Sequence, residues 1–146
     1  MKKLILSIAA TLIIFASDVS ANTGIIDTAK AQEVFKKEFP NAESAQWSKD
    51  GIYIKVSFLL YGKGAFALFT PEGDLMGTVR NMFYTETPIN VITSFEKRFK
   101  NPKVYSIVEI NCESGISYRL LFDNEEKRYE ATINSDGTIS KVQRIK

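Results

Sequence analysis

The sequence repeats one pattern of apolar and turn residues in its two halves, and this repeat limits the folds that it can adopt. The segment FKKEFPN, which begins at Phe35, is matched by FEKRFKN from Phe95, 60 positions later (95 minus 35). The segment ALFTPEGD from Ala67 is matched by ATINSDGT from Ala131, 64 positions later (131 minus 67). Because matched segments are expected to form matched structural units, we expect the same order of secondary-structure elements in both halves.

Each half opens with a predicted amphipathic helix. The first is expected from Asp27 to Phe39, where apolar residues recur four apart among Lys and Glu, and Pro40 ends it. The second is expected to use Thr87 as its N-cap and Pro88 as its first helical residue. Its apolar stripe comprises Ile92, Phe95 and Phe99.

Four short strands are predicted after each helix, because runs of β-branched and aromatic residues are separated by turn residues. They lie around Ser44 to Ser48, Ile52 to Leu60, Ala65 to Thr70, Leu75 to Met82, Val104 to Asn111, Ile116 to Asp123, Tyr129 to Asn134 and Thr138 to Ile145. The fold class expected is α+β, a tandem repeat of a helix plus a four-stranded antiparallel sheet, with the helices packed on one sheet face. The opposite face is then expected to be open.

The stretch NSDGTI near the C-terminus has some features of a calcium-binding loop. Asn134 and Asp136 would supply oxygen ligands, and Gly137 would supply the turn of an EF-hand loop. That loop, however, needs carboxylates at its first and twelfth positions, which are Thr132 and Gln143 here. Because PEGD stands at the matching place in the first half, both stretches are better explained as hairpin turns in which glycine takes a positive φ.

The N-terminus has the pattern of a secretory signal peptide. Two lysines precede an apolar run from Leu4 to Ala16, and the small residues of VSA end at Ala21, where cleavage is expected. The predicted division of the chain is a signal peptide at 1–21, a first α/β unit at 22–86 and a second α/β unit at 87–146. An apolar run of about a dozen residues is short for a membrane span, so the mature chain is predicted to be soluble, in the periplasm or secreted.

Charge and cysteine content narrow the functional classes. Removing the signal peptide takes two of 19 basic and one of 17 acidic residues, so the mature net charge is 17 minus 16, or +1. This balance gives no reason to expect nucleic acid as a partner. The single cysteine, Cys112, excludes an internal disulfide, and it lies too far from the cleavage site to carry a lipid anchor.

The chain contains no histidine, which removes the commonest general base and the commonest metal ligand. Cys112 has no neighbouring base in EINCESG, so it is expected to be a structural thiol. Asp123, Glu125 and Glu126 are expected to form a charged turn rather than a catalytic carboxylate pair. We therefore predict no catalytic residue, no cofactor and no metal.

The outward side chains of the first sheet half are predicted to be apolar. Alternation along the strands assigns Ile54, Val56 and Phe58 to the helix side and the intervening residues to the other side. The candidate partner-binding residues are Tyr53, Tyr61, Phe66, Leu68, Met76 and Met82. Grouped apolar residues of this kind often mark an interface. Cover by a loop, by the mature N-terminus or by a second copy would also account for them.

The outward side chains of the second half are predicted to be mostly polar. They are Arg119, Leu121, Arg128, Glu130, Thr132, Ser140, Val142 and Arg144. Lys55, Ser57, Thr78 and Arg80 complete the outward face of the first half. The contrast between the halves places the predicted binding surface in the first half.

Three segments together resemble a known family. They are FKKEFPNAESAQW leading into a strand, AFALFTPEGDL in a hairpin and ETPINVITSFEKRF at the start of the second half. The chain resembles the PepSY-like family of periplasmic proteins, many from gut Bacteroidetes, which are similar in fold to the β-lactamase inhibitor protein. The resemblance implies a tandem α/β repeat with a sheet surface able to hold a partner. One departure is Lys100 where the first half has Pro40, so the second helix is expected to end differently.

These observations lead to one main functional expectation. The chain is expected to be a non-enzymatic, soluble periplasmic binding or inhibitor-like module that holds a periplasmic protein or peptide on an open β-sheet face. A structural homodimer through the same face is one alternative. A secreted enzyme that uses carboxylates or a Ser–Lys pair, and so needs no histidine, is the other.

Overall fold

The computed structural model describes residues 28–145. The predicted signal peptide and the predicted helix start at Asp27 lie outside the described residues. The helices are α1 (Ala29–Glu38) and α2 (Ile89–Arg98), and a 3₁₀ turn spans Tyr84–Glu86. The strands are β1 (Ala42–Asp50), β2 (Tyr53–Leu60), β3 (Lys63–Phe69), β4 (Leu75–Met82), β5 (Lys103–Cys112), β6 (Gly115–Asn124), β7 (Lys127–Asn134) and β8 (Ile139–Arg144).

All eight strands form one antiparallel sheet, in the order in which they occur in the chain. The predicted tandem of two helix-plus-four-strand units is therefore wrong, because the described chain is mostly a single sheet with two helices. The halves are joined by pairing between β4 and β5, from Gly77 opposite Cys112 to Met82 opposite Ile107. This pairing satisfies backbone N–H and C=O groups that two separate sheets would leave exposed along an edge.

Both helices lie on the same face of the sheet, each over its own apolar core. The α1 core consists of Ala31, Phe35, Ile54, Val56, Phe58, Ala67 and Phe69. The α2 core consists of Val91, Phe95, Ile107, Tyr118, Leu120, Phe122, Ala131 and Ile133. In each core a helix phenylalanine packs edge-on against a sheet phenylalanine, with ring centres 5.0 Å apart for Phe35 and Phe58 and 4.8 Å apart for Phe95 and Phe122.

The last hydrogen bond is the same in the two helices, although Lys100 replaces Pro40. The Phe39 N–H donates to the Phe35 carbonyl, and the Phe99 N–H donates to the Phe95 carbonyl, both at 2.9 Å. The chain then leaves the two helices differently, with a ψ of 64° at Phe39 and of 116° at Phe99, so the prediction of a different end is confirmed in part. A proline is not needed to end this helix, because the next strand pairs with the sheet within five residues.

The second helix starts one residue later than predicted. Pro88 is its N-cap and Ile89 its first helical residue. Thr87 is buried, and its hydroxyl donates to the Phe83 carbonyl at 3.1 Å, so it fixes the preceding turn instead of capping the helix.

A hairpin turn from the same half of the sheet packs against each helix. Gly73 and Gly137 occupy these turns with φ of +87° and +88°. A Cβ atom on Gly73 would lie 2.8 Å from the Ala31 nitrogen, and one on Gly137 would lie 2.9 Å from Ser94 Oγ. The prediction of hairpin turns in place of a calcium loop is confirmed. Glycine is required both by the backbone conformation and by the closeness of the helix.

The helix side of the β4–β5 junction is polar. Arg80 donates two hydrogen bonds to the Glu109 carboxylate, at 2.7 and 3.2 Å. The Tyr118 hydroxyl donates to the same carboxylate at 3.2 Å. Neither Arg80 nor Glu109 belongs to the α1 core or the α2 core. The two cores are therefore separated by charged and polar side chains.

Replacing Gly73 tests the contact between turn and helix. Gly73→Ala is expected to lower the free energy of unfolding by about 2–5 kcal/mol, because a left-handed alanine costs about 1–2 kcal/mol and crowding against α1 adds about 1–3 kcal/mol. Gly62→Ala is the matched control, since Gly62 has φ +76° and no atom within 4 Å of the added Cβ. Urea denaturation of both variants measures the difference. Equal losses would contradict a specific contact with the helix.

The single sheet should unfold as one unit. Trp47 is the chain's single tryptophan and packs against the α1 core, so its fluorescence reports on the first half alone. Far-UV circular dichroism reports on the whole sheet. Because β4 and β5 join the two cores, we expect both signals to change at the same urea concentration. Two separated transitions would show that the cores unfold independently.

Candidate functional site

The sheet face opposite the helices is the candidate site, and we call it the open face. Val56 and its cross-strand partner Ala67 belong to the α1 core, so the adjacent residue Phe66 points to the other side of the sheet. Phe66 lies opposite Val79, and Val79 lies opposite Ile110. Cross-strand partners share a face, so this row of side chains crosses the middle of the open face.

An apolar strip occupies the middle of the open face. Its members are Phe66, Leu68, Val79, Val108, Ile110 and Leu121. Val79, Ile110 and Leu121 are only 8%, 7% and 8% exposed, although both helices pack on the other face. Phe66 is partly shielded by a charged side chain of the same face, since Lys55 Nζ lies 4.6 Å from the centre of the Phe66 ring.

Three of the six predicted binding residues lie together on the open face. Tyr53, Phe66 and Leu68 are on neighbouring strands, and each is half-buried. Tyr61 lies in the β2–β3 turn at the end of the sheet, where it is 76% exposed. The Tyr61 hydroxyl accepts a hydrogen bond from Asn41 Nδ2 at 3.2 Å. Whether these residues contact a partner stays a prediction.

The other predicted residues on β4 are placed differently. Met82 packs against the α2 core, and Thr78 and Arg80 are on the same helix side of the sheet. Their predicted outward orientation is wrong, because β4 contains a bulge in its pairing with β3. Met76 is the extra residue of this bulge, and one extra residue reverses the face of every residue after it.

A second bulge has the same effect on β8. Ser140 is the extra residue there, and Lys141 takes the outward position opposite Thr132. Val142 packs against the α2 core, and Arg144 is on the same side of the sheet. The predicted outward orientation of Val142 and Arg144 is therefore wrong.

Sequence reasoning missed three members of the apolar strip, Val79, Val108 and Ile110. The order VEIN in β5 carries a signal, because apolar and polar residues alternate there. The alternation alone does not say which set faces the helices. That choice is made by the pairing with β4, which puts Glu109 opposite Arg80 on the helix side.

Charged side chains border the apolar strip toward β8. Arg119 Nε lies 3.7 Å from Glu130 Oε1, and both side chains are less than one-fifth exposed. Gln143 Nε2 donates to the same Glu130 oxygen at 3.1 Å. Lys141 is exposed on the outermost strand. This border can hydrogen-bond or pair with charged groups of a partner that covers the strip.

Tyr105, Asp123 and Arg128 form a cluster at one end of the open face. The Tyr105 hydroxyl donates to Asp123 Oδ2 at 2.5 Å, and Arg128 Nε donates to Asp123 Oδ1 at 2.9 Å. The Arg128 guanidinium also lies 4.5 Å from the centre of the Tyr105 ring. The hydrogen bonds from Arg128 and then from Tyr105 hold the pKa of Asp123 below its usual value.

A groove lies beside the C-terminal end of α2. Tyr84, Glu96, Phe99 and Lys100 line it. The Tyr84 hydroxyl donates to Glu96 Oε1 at 2.6 Å, and burial together with this hydrogen bond raises the pKa of Tyr84 to about 12. Tyr84 is therefore protonated at neutral pH and is a poor general base. Within residues 28–145 no group of three acidic or cysteine side chains is placed to hold a metal ion.

The fold has known relatives. A structure from Bacteroides eggerthii, described as a "putative periplasmic" protein, matches with a TM-score of 0.73 and 20% identity over 80% of this chain and 88% of that chain. A DUF2874 family protein from Bacteroides uniformis matches with a TM-score of 0.73 and 18% identity over 80% and 88%. A BLIP-like protein from Bacteroides fragilis matches with a TM-score of 0.72 and 18% identity over 80% and 84%.

These identities establish a shared fold and nothing further. The BLIP-like neighbour supports the inhibitor-protein fold expected from the resemblance, whereas none of these three descriptions carries the PepSY-like name. No protein-family model and no curated protein matches the chain. Neither helix in the described part of the chain has the length and apolar character needed to cross a bilayer.

Protonating Asp123 should remove its contribution to stability. The pKa of the Asp123 carboxyl is lower in the folded protein than its ordinary value of 3.8, which applies to the unfolded chain. Its carboxylate therefore stabilises the fold above pH 3.8, and this stabilisation is lost as the pH falls through the pKa of the folded state. Asp123→Asn is therefore expected to destabilise the protein at pH 7 and to have a much smaller effect at pH 2. Urea midpoints at both pH values measure this. Glu125→Gln, two residues away in an exposed turn, is the control, and an unchanged Asp123→Asn effect at both pH values would contradict the prediction.

Proposed function

We propose that this protein is a non-enzymatic, periplasmic or secreted module that binds a protein or peptide on its open face. The apolar strip carries the proposal, because six apolar side chains are grouped on a sheet face that neither helix covers. Grouped apolar side chains with a polar border are typical of protein interfaces. The location is supported by the predicted signal peptide and by the periplasmic description of one structural neighbour.

The sheet face is better suited to binding than either sheet edge. The outer strand β1 has a register shift between Glu43 and Gln46, and Ser44 within it has a φ of 55°. The other outer strand, β8, is only six residues long and carries Lys141 and Arg144. Bulges, short length and charge hinder the addition of a further strand to an edge. We therefore expect a partner to contact side chains of the face and not the backbone of an edge.

The proposal also concerns what the protein does to the partner that it binds. The name of the BLIP-like neighbour favours an inhibitor-like role, in which the open face covers part of another protein. A shared fold by itself does not transfer a function. The proposal therefore concerns protein binding by the open face, and inhibition of an enzyme is one form that such binding takes.

The proposal is tested by placing a charge in the apolar strip. Phe66→Asp is expected to abolish binding, because the new carboxylate would lose its hydration when a partner covers it. Ile89→Asp is the matched control, since Ile89 is 79% exposed at the start of α2 and lies outside the open face. The wild-type protein and the two variants are immobilised and incubated with cell-envelope extract. Proteins retained by the wild type and by Ile89→Asp should be lost with Phe66→Asp, and equal retention by all three would contradict the proposal.

A further inference from the structure

We infer that the partner of the open face is a second copy of this chain, packed face to face so that β1 of each copy lies over β8 of the other. The inference rests on the proposed function, because it names the protein that the open face binds. It follows from the size of the face, from the charges at its two sides and from the position of the apolar strip.

The open face has the area that a stable dimer needs. Eight strands spaced about 4.8 Å apart give a width of about 38 Å, and about six residues of common strand length at about 3.3 Å each give about 20 Å. Two such faces bury about 1,500 Å², close to the standard value of about 1,600 Å² for specific complexes. Two sheets can pack face to face about 10 Å apart with their strands nearly aligned.

The two sides of the open face carry opposite charges. On the β1 side, Glu43 pairs with Leu59 and Asp50 pairs with Tyr53, so both carboxylates lie on the open face, where they are exposed. On the β8 side, Lys141 lies on the open face, and it too is exposed. One copy therefore presents carboxylates on its outermost strand β1 and an ammonium group on its outermost strand β8, with the apolar strip between them.

A face-to-face dimer can have its two-fold axis across the strands or along them, and these charges favour the second arrangement. A two-fold axis across the strands would place β1 over β1 and bring like charges together. A two-fold axis along the strands places β1 over β8 and brings Glu43 of each copy near Lys141 of the other. The register supports this contact, since Glu43 and Lys141 lie near the opposite ends of one cross-strand row.

The apolar strip fits the same arrangement. Val79 and Ile110 are paired on β4 and β5, the two central strands of the eight. An axis that passes between them places Val79 of each copy over Ile110 of the other. The apolar centre of one face then meets the apolar centre of the other, and water is excluded from the middle of the interface.

Charge-reversal substitutions test this dimer. They are made in the chain from Asn22 to Lys146, which contains every described residue. Sedimentation equilibrium over a concentration series should show a dimer for the wild type. Glu43→Lys and Lys141→Glu should each raise the dimer dissociation constant by about tenfold, because two attractive contacts become two repulsive ones. An equimolar mixture of the two variants should restore the wild-type constant, since each contact again joins a carboxylate and an ammonium group.

A control substitution on β1 distinguishes the open face from the helix side of the sheet. Lys49→Glu changes an exposed residue of β1 whose partner, Ile54, is in the α1 core, so it should leave the dissociation constant unchanged. Far-UV circular dichroism checks that every variant is folded. A monomeric wild type at all concentrations, or a mixture that fails to restore the dimer, would overturn the inference. If the wild type is monomeric and Phe66→Asp still loses captured proteins, the inference fails and the proposed function stands.

Discussion

The pairing between β4 and β5 decides which side chains this molecule presents to a partner. Antiparallel pairing fixes the alternation of both strands together, so Arg80 and Glu109 take the helix side and Val79 and Ile110 take the open face. Arg80 and Glu109 make their ion pair between the α1 core and the α2 core. Because Arg80 and Glu109 take the helix side, Val79 and Ile110 are left on the face opposite the two described helices.

The helices do not cover the junction because each one is attached to its own half of the sheet. Lys30 of α1 forms an ion pair with Asp74 of the β3–β4 turn at 3.0 Å, and Asn90 of α2 donates to the Ser135 carbonyl in the β7–β8 turn at 2.5 Å. The close packing of Gly73 and Gly137 against the same helices adds to these contacts. Each helix is therefore held over its own apolar core, and Arg80 and Glu109 of the central strands lie between the two cores.

Much of the fold could be predicted from the sequence, because helices, strands and turns have local signals. Apolar spacing located both helices, and glycine located the turns that pack on them. The single sheet and the faces of β4 and β8 could not be predicted in this way. A bulge such as Met76 or Ser140 adds one residue without changing the alternating pattern on either side of it. Pairing of β4 with β5 joins residues about 30 positions apart, and no local pattern encodes it.

The candidate site illustrates how a sheet can shield part of an apolar surface. The Lys55 ammonium group lies over the Phe66 ring in a cation–π contact, which shields part of the ring. A contact of this kind at an exposed site contributes about 0.5–1 kcal/mol. Full burial of one large apolar side chain is worth about 1.5–3 kcal/mol. Because Phe66 is already half-buried, a partner that covers the rest of the ring gains only part of this amount, which is similar to what it loses by displacing the lysine.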